Sequence, residues 1–240
     1  MLTERQIQLL STIISEYIES SEPVGSQVLV SKYKLKCSAA TVRNEMARLL
    51  EEGFLEMLHT SSGRVPTPMA YKMFLSDMMH EEEIPILQEV AMKQKLWPAR
   101  FEFEKMLRQA AIALADVTKE LSIVTTDDGY IVHAGAVNVL DNKEFWDIEV
   151  ARAALNLLDR YELLEQIFKR AAEGRDVSCL FGDEMGYDKL EKCGLIFAKY
   201  DTGNNKGYIA VLGPARMKYP QIIPAVRYTK KLVEELGESW

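Results

Sequence analysis

An α+β fold in two parts is what this sequence predicts, and three observations carry the prediction. Up to about residue 79, three stretches with helical apolar spacing are followed by two short strand-like runs around a Gly-containing turn. Beyond about residue 104, apolar strand-like runs lie between helical stretches, the mixture expected of an α+β domain. The third is size: 240 residues at 48% hydrophobic content can bury a sizeable core, as one large domain or two smaller ones.

The elements follow in order. Thr3 and Gln6 have capping-box spacing, and Leu2 and Ile7 that of a hydrophobic staple, so a helix starts here with Ile7, Leu10, Ile14, Tyr17 and Ile18 as its apolar stripe. Pro23 and Gly25 in "SSEPVGS" break it, and Ser26 can cap a short second helix through "QVLVSKY". After the basic connector "KLKC", Ser38 can cap a third helix that runs to Gly53, the usual place for a C-terminal glycine. "FLEML", "HTSSG" and "RVPT" read as strand, turn and return strand, and Thr67 with Pro68 opens a helix through Met79. Three helices followed by a short hairpin is the order of a winged helix-turn-helix, assigned to residues 1–79.

Residues 80–103 are charged and interrupted by Pro85 and Pro98, and read as a linker with a helical piece. A helix from about Glu104 to Glu120 offers Leu107, Ala111, Leu114 and Val117 as its buried stripe. "LSIVTTDDGYIVHAGAV" gives two strands around "DDG", where adjacent Asp127 and Asp128 suit turn chemistry better than a carboxylate pair. Helices follow over about 145–158 and 161–172. "DVSCLFG" is a strand, "CGLIFAKY" and "KGYIAVLG" form a hairpin around "DTGNN", and "YPQIIPAVRYTKKLVEEL" is the terminal helix.

The net charge of −7 argues at first against a polyanionic partner. Its distribution says otherwise for the first part: residues 25–75 hold seven Lys and Arg against four Glu, so a modestly basic module is joined to an acidic one. No apolar run approaches the ~18 residues of a membrane span, and "MLTERQ" lacks the basic and apolar blocks of a signal peptide, so a cytoplasmic location without membrane attachment is expected. Cys37, Cys179 and Cys193 are odd in number and far apart, which indicates reduced thiols rather than disulfides or a zinc knuckle.

The third helix raises the functional question. At 100° per residue, Ala39, Val42, Met46, Leu49 and Leu50 share a packing side, while Ala40, Asn44, Ala47 and Arg48 lie opposite, with Thr41 and Arg43 on the flanks. Small residues let a helix backbone sink into a major groove, where Asn can pair with adenine and Arg with guanine. A solvated surface helix can carry the same residues. The conjunction with its neighbours favours DNA: Lys32, Lys34 and Lys36 approach the helix, and "HTSSGR" places small hydroxyls, Gly63 and Arg64 at a hairpin tip suited to phosphate or minor-groove contact. Asn44 and Arg48, with Arg43 beside them, are the candidates for base edges, and Ala40 for close approach. Ser38, Thr41, Lys32, Lys34, Lys36, Thr60, Ser61 and Arg64 are candidates for phosphates or the minor groove.

The stretch "EPVGSQVLVSKYKLKCSAATVRNEMARLLEEGFLEMLHTSSGRVPT" resembles the N-terminal domain of the heat-inducible transcription repressor HrcA family of bacteria. Independently, "VLGPARMKYP" resembles that family's closing motif, and "GAVNVLDNKEF" and "FGDEM" align with further segments. The resemblance implies repression of chaperone operons by a dimer bound to an inverted repeat, activity dependent on the chaperonin, and a GAF-like second domain over residues 104–240. One departure stands out. Full-length members carry an inserted domain that contributes to dimerisation, and here "IVTTDDGYIVHA" passes almost directly into "GAVNVLDNKEF", so the insert is missing and the dimer contact must come from the second domain or the linker helices.

Other chemistries find little footing. His59, His80 and His133 are scattered without metal spacing, and no nucleophile elbow, P-loop or dinucleotide fingerprint occurs, so neither an enzyme nor a cofactor or metal site is expected. Cys179 suits a strand core better than a nucleophile. Gly182-Asp183-Glu184 suits a cation or a strand-ending turn. In "GPARMKYP", Arg216 and Lys218 before the terminal helix can attract an anion, or Arg216 can pair with a nearby carboxylate; the second is preferred because no phosphate loop accompanies it. Two alternatives to the repressor remain: a winged-helix regulator whose GAF-like domain senses a small metabolite, favoured by a deep strand-lined pocket, and a module whose winged helix docks a chaperone protein.

Overall fold

The structure, a computed structural model, describes residues 2–33, 37–59, 62–171 and 174–237. It is a mixed α+β chain that divides into two compact units, residues 1–80 and 81–240.

In the first unit, α1 (Glu4–Ser20) begins at the expected capping box: the Thr3 hydroxyl accepts from the Gln6 amide at 3.3 Å, and Gln6 Oε1 accepts from the Thr3 amide at 2.9 Å. Its fully buried stripe is Leu9, Leu10, Ile13 and Ile14, while Ile7, Tyr17 and Ile18 are only half-buried, so the helix is rotated slightly from the expected stripe. In α2 (Ser26–Tyr33) Ser26 is buried inside the first turn rather than capping it, and the Gly25 carbonyl accepts from the Leu29 amide. α3 (Ala39–Glu51) starts at Ser38, whose hydroxyl accepts from the Thr41 amide at 3.1 Å, and ends before Gly53, which takes φ +80°. The hairpin strands β1 (Leu55–Glu56) and β2 (Val65–Pro66) pair antiparallel with Leu55 opposite Pro66, and are shorter than "FLEML" suggests. Thr67 caps α4 (Pro68–Met73), which runs on into a π-helical turn, Phe74–Met78.

The second unit opens with α5 (Ile86–Leu96), within the stretch read as a linker. Met92 and Leu96 are buried, Lys95 pairs with Asp116, and the preceding chain is tied down by Arg227, which bonds Glu81 and Asp176 together. Then come α6 (Phe103–Thr118), β3 (Leu121–Thr125), β4 (Ile131–Ala134), α7 (Ile148–Asn156), α8 (Tyr161–Phe168), β5 (Ser178–Phe181), β6 (Cys193–Asp201), β7 (Lys206–Pro214) and α9 (Tyr219–Gly237). The five strands form one antiparallel sheet in the order β4-β3-β7-β6-β5, joined across the middle by β3 and β7, Leu121 opposite Leu212.

Alternation along the strands splits the sheet between two cores. Leu121, Ile123, Leu195, Phe197, Ala210 and Leu212 face α7 and α8, where Phe145, Val150, Leu164 and Phe168 fill the space. Their neighbours in the strands, among them Val124, Ile196, Ile209 and Val211, are equally buried, and α6 and α9 pack against the same strands. Burial on both faces explains why β6 and β7 read as near-continuous apolar runs.

Candidate nucleic-acid interface

The face of α3 divides as its period demands. Val42, Met46 and Leu49 are buried, Ala39 and Leu50 half-buried, and Ala40, Arg43, Asn44, Ala47 and Arg48 are exposed, with Thr41 between. The exposed side chains are short apart from the two arginines, so the backbone of this helix is accessible along about three turns. Arg48 is 66% exposed and lies 3.7 Å from Glu45, a loose pair on its own helix that a base edge can outcompete. Ser38 and Thr41 share a hydroxyl contact of 2.9 Å at the N-terminus, where free amides favour a phosphate oxygen.

The surrounding candidates are placed differently. Lys32 is held by two carboxylates of α1, Glu16 at 2.6 Å and Glu19 at 2.8 Å, and those bonds push its ammonium well above the ordinary lysine range. Glu16 is itself nearly buried and takes a second bond from the Tyr33 hydroxyl at 2.9 Å, so Lys32 joins α2 to α1 and any phosphate must compete with Glu16. Separations of 13 and 16 residues hide that pairing from a reading by helical spacing. Lys34, Lys36, Thr60 and Ser61 lie outside the described residues. Arg64 does not extend from the hairpin: its Nη1 donates to the Ser62 carbonyl at 3.0 Å, its Nε is buried, and its backbone bridges to Val24.

That bridge gives Gly63 a different meaning from turn flexibility. A Cβ on Gly63 would stand 2.5 Å from the Pro23 carbonyl oxygen, so the hairpin lies directly on the Pro23–Val24 backbone. Gly63→Ala is expected to destabilise the first unit by about 1–3 kcal/mol, because backbone must move to admit one methyl. Thermal unfolding followed by circular dichroism checks this; an unchanged midpoint would mean that the hairpin is not strapped there.

In the second unit, the "GPARMKYP" arginine is answered by carboxylate. Arg216 Nε donates to Glu144 Oε1 at 2.7 Å and one terminal nitrogen to Glu144 Oε2 at 3.0 Å, with a further bond to Asn142 Oδ1 at 3.2 Å. Asn142 in turn donates to Glu120 Oε2 at 3.2 Å, and burial pushes the Glu120 carboxyl up to about 8 against the opposing pull of Arg216. The anion reading of this motif is therefore replaced by a structural ion pair. Gly182-Asp183-Glu184 forms a single 3-10 turn, with Gly182 at φ +52° and the Glu184 carboxylate accepting from the Phe181 amide at 3.1 Å. Burial raises the thiols of Cys179 and Cys193 to about 12, far from nucleophilic thiolates. His59, His80 and His133 are exposed on separate segments, and among the described residues no cluster of three His, Cys, Asp or Glu could hold a metal. Among the same residues, no helix is long and apolar enough to cross a membrane.

With these positions in hand, comparison with known proteins places the whole chain. The chain is 25% identical to the heat-inducible transcription repressor HrcA of Roseiflexus castenholzii, over 338 aligned positions that cover 98% of this chain and 94% of the relative. The repressor of the same name from Acetivibrio thermocellus is 24% identical, with 98% and 96% covered. An alignment of 338 positions against 240 residues leaves at least 98 positions of the first relative without a counterpart here, so the relatives carry sequence that this chain lacks. Among solved structures, the crystal structure of a hypothetical protein superposes with a TM-score of 0.78 at 20% identity, covering 100% of this chain and 99% of the other, which shows a shared fold. The family model described as the HrcA protein C terminal domain matches residues 27–223, and on that match the chain belongs to the HrcA family.

Proposed function

We propose that this chain is a sequence-specific DNA-binding repressor that acts as a dimer on an inverted repeat near chaperone genes. Its first unit serves as a winged helix, with α3 as recognition helix and the β1–β2 hairpin as wing; a GAF-like domain over residues 104–240 regulates it. The observation that carries the reading is the exposed face of α3, short at Ala40 and Ala47 and armed at Arg43, Asn44 and Arg48, on a helix whose other side is anchored by Val42, Met46 and Leu49. Names of the relatives supply the heat-inducible repressor class. Repression is steric: an occupied operator that overlaps a promoter excludes RNA polymerase. Release follows a fall in the dimer population, or withdrawal of the chaperonin implied by the resemblance.

The metabolite alternative is less well supported, because the sheet face towards α7 and α8 is filled by Phe145, Leu164, Phe168, Phe197 and Leu212, where a sensor needs space for its ligand. The test is selection of bound genomic fragments by the full chain. Recovery of a palindrome near chaperone genes supports the repressor, and the absence of any enriched sequence sinks it. Within a recovered site, Arg48→Ala should cost about 1–3 kcal/mol and relax discrimination at one base position, whereas Lys34→Ala should weaken all sequences alike and shallow the salt slope by about one. Unchanged operator selectivity in Arg48→Ala would remove that residue from the reading.

A further inference from the structure

Glu16 and Glu19 stand three residues apart near the end of α1 and so share one side of it. Both carboxylates accept from the ammonium of Lys32, the one basic residue of α2, at 2.6 Å and 2.8 Å. Gln27, Val28, Ser31 and Lys32 are exposed while Ser26 and Leu29 are buried, so Lys32 belongs to the solvent side of the helix that precedes the proposed recognition helix. The three charged groups differ in setting. The Glu16 side chain is 8% exposed, against 62% for Glu19 and 47% for Lys32. Glu16 Oε2 also takes the Tyr33 hydroxyl, at 2.9 Å. Two carboxylate oxygens around a surface ammonium offer it the same charge-assisted acceptors that a DNA phosphate would.

Magnitudes decide between the two partners. If Lys32 moved to a phosphate, Glu16 would stay desolvated with the Tyr33 hydroxyl as its remaining donor among these contacts. Taking one partner from a buried charge shifts an equilibrium by on the order of a hundredfold, and the buried member here is Glu16, whatever the exposure of Lys32. One phosphate contact contributes roughly tenfold or less to binding that ignores sequence. The carboxylates therefore keep the lysine. We infer that Glu16, with Glu19, is a positioning residue for DNA binding: it holds Lys32 on α1 while the protein is on DNA, so that this lysine makes no phosphate contact. The affinity common to all sequences is thereby held down, and a larger share of operator binding is left to the base-facing side chains of α3. The inference rests on the DNA-binding reading above and takes Lys32 out of its phosphate contacts.

Binding of the full chain to a fluorescent random-sequence duplex over a series of salt concentrations tests this, with circular dichroism to confirm that each variant folds. Lys32→Gln, which keeps a donor for Glu16 but no charge, should leave the slope of log affinity against log salt as it is in the wild type. Glu16→Gln combined with Glu19→Gln keeps the acceptor for Tyr33 and frees the ammonium. That double variant should steepen the slope by about one and bind about 5- to 10-fold more tightly at low salt. Adding Lys32→Gln to it should return the slope to the wild-type value, which separates a released lysine from the loss of two negative charges. A slope shallower by about one in Lys32→Gln alone would mean that the lysine already leaves Glu16 for a phosphate. An unchanged slope in the double variant would put Lys32 out of reach of the duplex, and a steepening that persists without Lys32 would trace it to net charge. Any of these three overturns the role of Glu16 while leaving the DNA-binding reading intact. A wild type that binds no duplex at low salt overturns both together.

Discussion

Arg216→Ala should lower the unfolding free energy of the full chain by about 3–5 kcal/mol, the usual consequence of removing one partner from a buried ion pair. Arg216 and Glu144 are only 12% and 8% exposed at their side chains, and the guanidinium engages both oxygens of the carboxylate. Without it, Glu144 remains desolvated beside Glu120, and two carboxyl groups share a pocket with no cation. Arg216→Lys should recover only part of the loss, since an ammonium cannot reproduce the two parallel bonds. Denaturant titration followed by far-ultraviolet circular dichroism reads both values. A loss below about 1 kcal/mol, the range of exposed pairs, would show that water reaches the site and that the motif has some other role.

The second large effect is a pH dependence centred on Glu120. Burial raises its carboxyl from the ordinary 4.5 to about 8 in the folded protein. A carboxyl raised on folding stabilises fully below its unfolded value and loses that contribution as pH rises through its folded value. Stability should therefore fall between pH 5 and pH 8, where the unfolded chain ionises this carboxyl freely while the folded protein still holds it protonated, and level off once the buried group ionises near its folded value. The full shift corresponds to an upper bound of about 5 kcal/mol, and residual solvent contact reduces it to about 2 kcal/mol. Glu120→Gln keeps the acceptor for Asn142 and removes the proton, so its unfolding midpoints at pH 5.5 and pH 8.5 should lie closer together than those of the wild type. Equal pH slopes in the two proteins would mean that Glu120 ionises freely in the fold. A Cβ on Gly213, the next-to-last residue of β7, would sit 2.7 Å from Glu120 Oε2, so a side chain there would crowd this carboxylate.

Local elements were legible in the sequence wherever short-range chemistry decides them. The capping box at Thr3, the cap at Ser38, the αL glycine after α3 and the Thr67-Pro68 start of α4 each depend on residues within four positions of one another. The two hairpins of the second unit were legible for the same reason, because a tight turn holds its own strands in register. The packing side of α3 followed from period alone, and with it the exposure of Asn44 and Arg48.

What the sequence by itself determined, then, is the order and type of the elements, the amphipathic division of α3 and, through its motifs, the family. Only the tertiary structure decided which strands meet and which charges are already engaged. The pairing of β3 with β7 joins segments about ninety residues apart, a separation over which local propensity carries no information. Lys32 is committed to Glu16 across a helix–helix contact, Arg64 is turned back on its own hairpin, and Arg216 is committed to Glu144 from 72 residues away. A charged side chain has the same letter whether it awaits a phosphate or neutralises a buried carboxylate. The packed chain separates the two, because only there is the cost of leaving the carboxylate alone incurred.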